Sequence, residues 1–255
     1  MRKIALIGIG AGNPEHITIQ AINALQQVNV FFVTDKGADK QELVRLRTEI
    51  LQRYVKAGNY RLVAIRDPER DRSPVAYQAA VADWHEQRAA IYESLFRSEL
   101  SEDERGAFLV WGDPSLYDSI IRVVAQIAAR GSVQFDYEVI PGISSLQTLT
   151  ARHRIPLNQV GEPVQITTGR RLSETIATGA SDIAVLLDGE CAFNRVDSRD
   201  TQIYWGAYLG TPQEILLSGP LEEMAATIEH VRTEARARHG WIMDTYLLRR
   251  PARRS

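Results

Sequence analysis

Residues Ile4 to Ile9 form a continuous apolar run with no polar alternation, and a turn containing Gly8, Gly10 and Gly12 follows at once. A strand that is apolar on both sides must be covered above and below, which is the setting of a parallel sheet. Thr18 then stands where a helix cap is expected, ahead of Ile19, Ile22 and Leu25 at helical spacing. Strand, glycine turn and helix in this order predict the opening of an α/β domain.

The rest of the first half continues the pattern. Val28 to Thr34 is a second strand ending in Asp35-Lys36-Gly37, which completes a β-α-β unit. A helix over Gln41 to Val55, a strand over Tyr60 to Ile65 and a charged turn from Asp67 to Arg72 come next. Pro74 to Leu100 reads as one or two long helices before a strand over Gly106 to Trp111. A helix from Ile120 to Arg130 and a strand from Tyr137 to Ile140 follow, so the N-terminal half is predicted as a mostly parallel open sheet. Beyond Arg154-Ile155-Pro156 the pattern changes. Strands are expected near Gln165 to Thr168, Ile183 to Leu187, Gln202 to Tyr208 and Ile242 to Leu248, with a helix over Leu221 to Arg236. The expectation is two α/β domains, 1–152 and 153–255, the second with a mixed sheet, and an arginine-rich tail from Arg249 that frays into solvent.

Composition narrows the partners. A chain with 44% hydrophobic and 24% charged residues buries a core, and a formal net charge of -2 gives no global attraction for nucleic acid. A small-molecule substrate is expected. Cys191 is the single cysteine, which excludes an internal disulfide framework and a cysteine-rich metal site. His16, His85, His153, His230 and His239 are scattered, so no metal is predicted. Met1-Arg2-Lys3 leads into an apolar run too short for a signal peptide, and no window has the length of a membrane span; a cytoplasmic protein is expected.

The glycine turn alone leaves two chemistries open. Glycines between a strand and a helix let backbone N–H groups approach a ligand closely, and Asp35 stands where a dinucleotide fold places its ribose-binding acid. That fold, however, calls for glycine at the position of Asn13. Two later loops bear on the choice. Gly112-Asp113-Pro114-Ser115-Leu116-Tyr117 and Pro141-Gly142-Ile143-Ser144-Ser145 each follow a buried strand, so in a parallel sheet they emerge at the same edge as the glycine turn.

GIGAGNP, GDPSLY and PGISS, in that order and context, resemble the three marks of the tetrapyrrole methylases, and the likeness covers nearly the whole chain. Ala11 stands where the family usually has proline, and the helical stretch over Pro74 to Glu104 is longer than is usual in it. The resemblance implies an S-adenosylmethionine-dependent methyltransferase, working as a homodimer, with its active-site crevice between the two domains. LLDGECAF, YWGAYLGTP and GWIMDTYLLR point within the family to methylation of precorrin-5 at carbon 1, with the acetyl group at carbon 20 leaving as acetate and S-adenosylhomocysteine as the other product. Other substrates within the family, namely a different precorrin position, ribosomal RNA or a translation factor, are the alternatives, beside an NAD-dependent oxidoreductase and a noncatalytic cofactor-binding module.

Carried over residue by residue, the resemblance implies cofactor contacts from Ala11, Gly112, Asp113, Leu116, Ser144, Ser145, Asp188 and Gly210. Asp113 equally suits a turn that bonds its own loop, and the serines suit the cap of a following helix. Deacylation benefits from a general base, for which Asp188, Asp244 and Tyr117 are the candidates, with Asp188 preferred. The substrate's carboxylates call for arginines, and Arg170, Arg171, Arg152 and Arg154 are the candidates.

Overall fold

The first strand, β1 (Arg2–Gly8), is buried on both faces through Ile4, Ala5, Leu6 and Ile7, as its unbroken apolar run requires. In the computed structural model, which describes residues 1–35, 41–56, 58–68 and 77–251, it lies inside a five-stranded parallel sheet. The other strands are β2 (Val30–Asp35), β3 (Arg61–Arg66), β4 (Arg105–Val110) and β5 (Phe135–Ile140), in the spatial order β3-β2-β4-β1-β5. Helices α1 (Ile19–Leu25) and α2 (Gln41–Tyr54) cover one face, where Leu25, Ile50 and Leu51 meet Ile7, Phe31 and Leu109. Helices α3 (Tyr77–Glu99) and α4 (Ile120–Arg130) cover the other, with Tyr92, Phe96 and Val123 against Leu6, Phe32 and Phe108.

The described part of the 74–100 stretch is one helix, α3. The Asp35 side chain, Lys36-Gly37, the turn residues Glu69 to Arg72, the start of the helical stretch at Pro74 and tail residues 252–255 lie outside the described residues. Helix α1 differs from expectation on one side. Thr18 caps it, its Oγ1 accepting from Ala21 N at 3.1 Å, but Ile19 is 77% exposed, and Ala21, Ala24 and Leu25 form the buried stripe. Small alanines permit closer approach to the sheet than isoleucine. Ile17, just before the cap, and Ile22, in the second turn, both pack on this core, the arrangement of a hydrophobic staple.

The chain divides by its contacts into two units, Met1–Gly10 with Pro14–Ile143, and Ala11–Asn13 with Ser144–Ser255. The second holds a mixed five-stranded sheet of β6 (Val164–Thr168), β7 (Asp182–Leu186), β8 (Gln202–Ala207), β9 (Ile215–Pro220) and β10 (Asp244–Arg249), in the order β6-β7-β10-β8-β9. Only the β6–β7 pair is parallel. Its helices are α5 (Ser145–His153), which packs on β8, β9 and β10, α6 (Leu172–Ala177) and α7 (Leu221–His239). Strand β9 and helix α6 are not expected from the sequence, and α5 is expected only as the helix that the PGISS serines would cap. The expected domain boundary falls at 152/153, whereas the contact units part between Ile143 and Ser144, so that α5 lies in the second.

Candidate active site

In the first unit three loops leave one edge of the parallel sheet, because β1 pairs in parallel with both β4 and β5. Their backbones touch. Gly112 N donates to Gly10 O at 2.8 Å, and Gly10 N to Gly112 O at 3.3 Å. A methyl group on Gly142 would overlap the carbonyl oxygen of Gly112, and one on Gly8 would lie 2.6 Å from Gly142 N. Glycine is required here by close backbone approach.

Asp113 fastens two of these loops together. Its Oδ2 accepts from Gly142 N at 2.8 Å, while Oδ1 accepts from Ser115 N at 2.8 Å and from the Ser115 hydroxyl. Partial burial pushes this carboxyl up, but the Ser115 hydroxyl and the Gly142 and Ser115 N–H groups outweigh it and hold the group below the usual carboxylate range. The carboxylate is thus an anion committed to loop geometry. Leu116 N closes the turn onto Asp113 O at 3.2 Å, and Tyr117, with φ +54°, leaves its side chain 45% exposed.

The second unit holds the remaining candidates. A methyl group on Gly12 would overlap Leu209 O and come 2.8 Å from Thr211 Cγ2, so Ala11 and Gly12 lie against the loop that contains Gly210. Gly210 N donates to Glu214 Oε2 at 2.8 Å, and Arg152 Nε donates to the other oxygen of the same carboxylate. Ser144 caps α5: its Oγ accepts from Leu146 N at 3.1 Å, and Gln147 Oε1 accepts in return from Ser144 N at 3.2 Å. Ser145 Oγ accepts from Thr245 Oγ1 on β10 at 3.3 Å.

Asp188 sits in the loop after β7 and is only 6% exposed. Its carboxylate accepts from Glu190 N at 2.9 Å, Ala192 N at 2.7 Å and the Tyr246 hydroxyl at 2.7 Å. Burial first, and then the nearby Asp188 charge, push the Tyr246 phenol far above its ordinary value, so it remains a donor. Asp244 is also buried; its Oδ2 accepts from Trp205 Nε1 at 2.9 Å and Arg232 Nε at 3.0 Å, and Arg232 NH2 reaches the Asp188 carbonyl at 2.9 Å. Burial raises the Asp244 carboxyl, with Arg232 and Trp205 pulling the other way. Both carboxylates are therefore occupied by donors from their own unit. Of the three base candidates, only Tyr117 exposes its side chain.

Among the arginine candidates, Arg152 is paired with Glu214 and Arg171 with Glu174 at 2.9 Å. Arg170 and Arg154 are exposed, Arg154 closing α5 with φ +57°. Arg232, Tyr246 and Glu214 escaped the sequence reading. Arg232 carried a signal: it falls on the stripe of Leu221, Ile228 and Ala235, where a charged residue must have a buried partner. Among the described residues no group of three or more His, Cys, Asp or Glu side chains is placed to hold a metal, and no helix is long and apolar enough to cross a membrane.

These loops and sheets define the class: the chain belongs to the tetrapyrrole (corrin/porphyrin) methylases, whose family model matches residues 3–225. A precorrin-6A synthase [deacetylating] from Sinorhizobium sp is 56% identical over 252 residues, covering 99% of this chain and 97% of its own. A crystal structure of a cobalamin synthesis related protein (CobF) from Corynebacterium diphtheriae superposes with a TM-score of 0.86 at 40% identity, over 99% of this chain and 100% of that one. The cobalt precorrin-4 methyltransferase CbiF shares the fold, with a TM-score of 0.64 at 18% identity over 97% of this chain and 94% of its own. Family membership assigns the glycine turn to a methylase and removes the dehydrogenase reading.

Proposed function

We propose that the chain is a precorrin-6A synthase that methylates precorrin-5 at carbon 1 with S-adenosylmethionine and releases the acetyl group at carbon 20 as acetate. The observation that carries this reading is the 56% identity, over nearly the full length of both chains, to a protein of that name.

The residues fit such a cofactor. The backbones packed together around Gly8, Gly112 and Gly142 keep bulky side chains off the loop edge on which a nucleoside bearing a sulfonium group would lie. Following the family resemblance, we assign cofactor contacts to Ala11, Gly112, Asp113, Leu116, Ser144, Ser145, Asp188 and Gly210. When bound, S-adenosylmethionine supplies an already activated methyl group, so the protein's share of the methylation is alignment and exclusion of water. Asp113 contributes by fixing two loops, and Asp188 by shaping the loop after β7. Departure of the acetyl group as acetate breaks its bond to carbon 20 and consumes one water. Tyr117 is the candidate with an accessible side chain to position that water. Arg170, Arg171, Arg152 and Arg154 are assigned to the substrate's acetate and propionate groups. The enzyme works without a metal, as a cytoplasmic homodimer, in this reading.

Incubation with S-adenosylmethionine and precorrin-5 should yield acetate, S-adenosylhomocysteine and a product of the precorrin-6A mass. A methylated product that retains the acetyl group would move the activity to another ring position, and no methylation of any precorrin would overturn the proposal.

A further inference from the structure

Helix α3 is longer than its crossover between β3 and β4 needs. Its 23 residues extend about 34 Å at 1.5 Å per residue, against about 20 Å for the six-residue strand β4. From Arg88 to Glu99 the rise is about 16 Å, so Arg88 stands near the level where β4 gives way to the loop Gly112 to Ser119. The half-helix before it extends past that edge of the sheet.

Arg88 is 8% exposed and binds three elements at once. Its Nε donates to Asp67 Oδ1, just after β3, at 3.1 Å, and its guanidinium donates to the Tyr92 hydroxyl one turn on. Tyr92 completes the triangle by donating to Asp67 Oδ1 at 2.9 Å. The Trp84 ring lies 4.6 Å beneath the guanidinium, and Trp84 Nε1 donates to Pro68 O at 3.0 Å. The remaining arm, NH1, donates to Ser119 Oγ at 2.5 Å.

That last contact is unusual. Ser119 is the N-cap of α4, yet its hydroxyl makes no capping bond to its own helix. Asp118 supplies the local bond instead, its Oδ1 accepting from Ile120 N at 2.7 Å. The serine hydroxyl is therefore given over to α3. A partly buried, charge-assisted bond of this kind is strong and directional. It anchors the far end of the loop whose near end is fastened by Asp113.

We propose that Arg88 is a positioning residue for the cofactor loop: through Ser119 it sets the conformation of Gly112 to Tyr117, and so makes S-adenosylmethionine affinity depend on the extended half of α3. This rests on the methyltransferase reading above. It gives the long helix a role in binding as well as in packing.

The test is calorimetric binding of S-adenosylhomocysteine, with melting temperature measured in parallel. Ser119→Ala removes one end of the contact and leaves Arg88, Asp67 and Tyr92 together. It should raise the dissociation constant about tenfold while lowering the melting temperature by only about 3 °C. Ser119→Thr, which keeps the hydroxyl, should restore affinity. Arg88→Ala should weaken binding at least as much, and the double variant no more than Arg88→Ala alone. If Arg88→Ala does not fold, the serine pair decides. Unaltered affinity in a folded Ser119→Ala protein overturns the inference while leaving the methyltransferase reading standing. An unsubstituted protein that binds no S-adenosylhomocysteine overturns both.

Discussion

Arg232 on α7 holds Asp244 at the head of β10, Nε to Oδ2 at 3.0 Å, in a pair with side chains only 11% and 5% exposed. Removing one member strands the other without its partner, which costs more than losing both. Arg232→Met should destabilise the protein by about 3 kcal/mol. Adding Asp244→Asn should recover part of that loss, because a neutral amide can still accept from Trp205 Nε1. Urea unfolding of the two variants checks this; equal stability of single and double variants would count against a charged pair.

Asp188 separates a structural role from a chemical one. Asparagine keeps one acceptor oxygen but cannot satisfy Glu190 N, Ala192 N and the Tyr246 hydroxyl together. Asp188→Asn should therefore cost about 1–3 kcal/mol of stability, with acetate release and methyl transfer falling in step. Loss of acetate release alone, at unchanged stability, would identify Asp188 as the base.

Tyr117→Phe should act the other way. Its side chain is exposed, and loss of the hydroxyl should slow acetate release more than methylation. Single-turnover measurement of both products is the check. Identical rates in the variant remove Tyr117 from the chemistry.

The touching loops make a steric prediction. Gly142→Ala forces a methyl group onto the Gly112 carbonyl and should destabilise by about 1–3 kcal/mol, with weakened S-adenosylhomocysteine binding. Gly189→Ala, where an added methyl group meets nothing within 4 Å, is the matched control and should be silent.

His153 on α5 sets a pH dependence. Burial lowers its pKa from the ordinary 6.5, against an opposing bond from Nε2 to Trp205 O at 3.0 Å and the nearby Glu214 charge. The unfolded chain therefore binds the proton more readily. Stability is fully present above the ordinary value and is lost as pH falls through the folded one. Between about pH 7.5 and about pH 5.5 the protein should lose more melting temperature than His153→Gln. Parallel curves would show that His153 is not the group responsible.

The parallel half of the fold was legible because its inner strands β1 and β4 are buried along most of their length, and the unbroken apolar run from Ile4 to Ile7 reads as such a strand. Boundaries blurred where two stripes compete. In α1 the spacing of Ile19 and Ile22 is as helical as that of Ala21 and Leu25, and only the sheet decides which faces inward. Edge strand β9, all of whose residues keep some exposure, ends in Gly219-Pro220 and reads as a turn. The three converging loops could be found from glycine, proline and their strand contexts. Their fastening could not, since Asp113 to Gly142 and Glu214 to Arg152 join residues distant in sequence. Asp188 before Gly189 reads as a turn, and nothing local tells that Tyr246 donates to it.

The strand order of the second sheet has a consequence for synthesis. The strand latest in the chain, β10, is its centre, flanked by β7 and β8, and it brings Asp244, Thr245 and Tyr246 with it. The first sheet has all its strands by Ile140 and can assemble while the ribosome is still translating. The second must wait with two unpaired strand edges until Arg249 has left the exit tunnel. A stalled or prematurely terminated chain would thus expose sticky strands beside a finished parallel sheet, a natural target for chaperone capture.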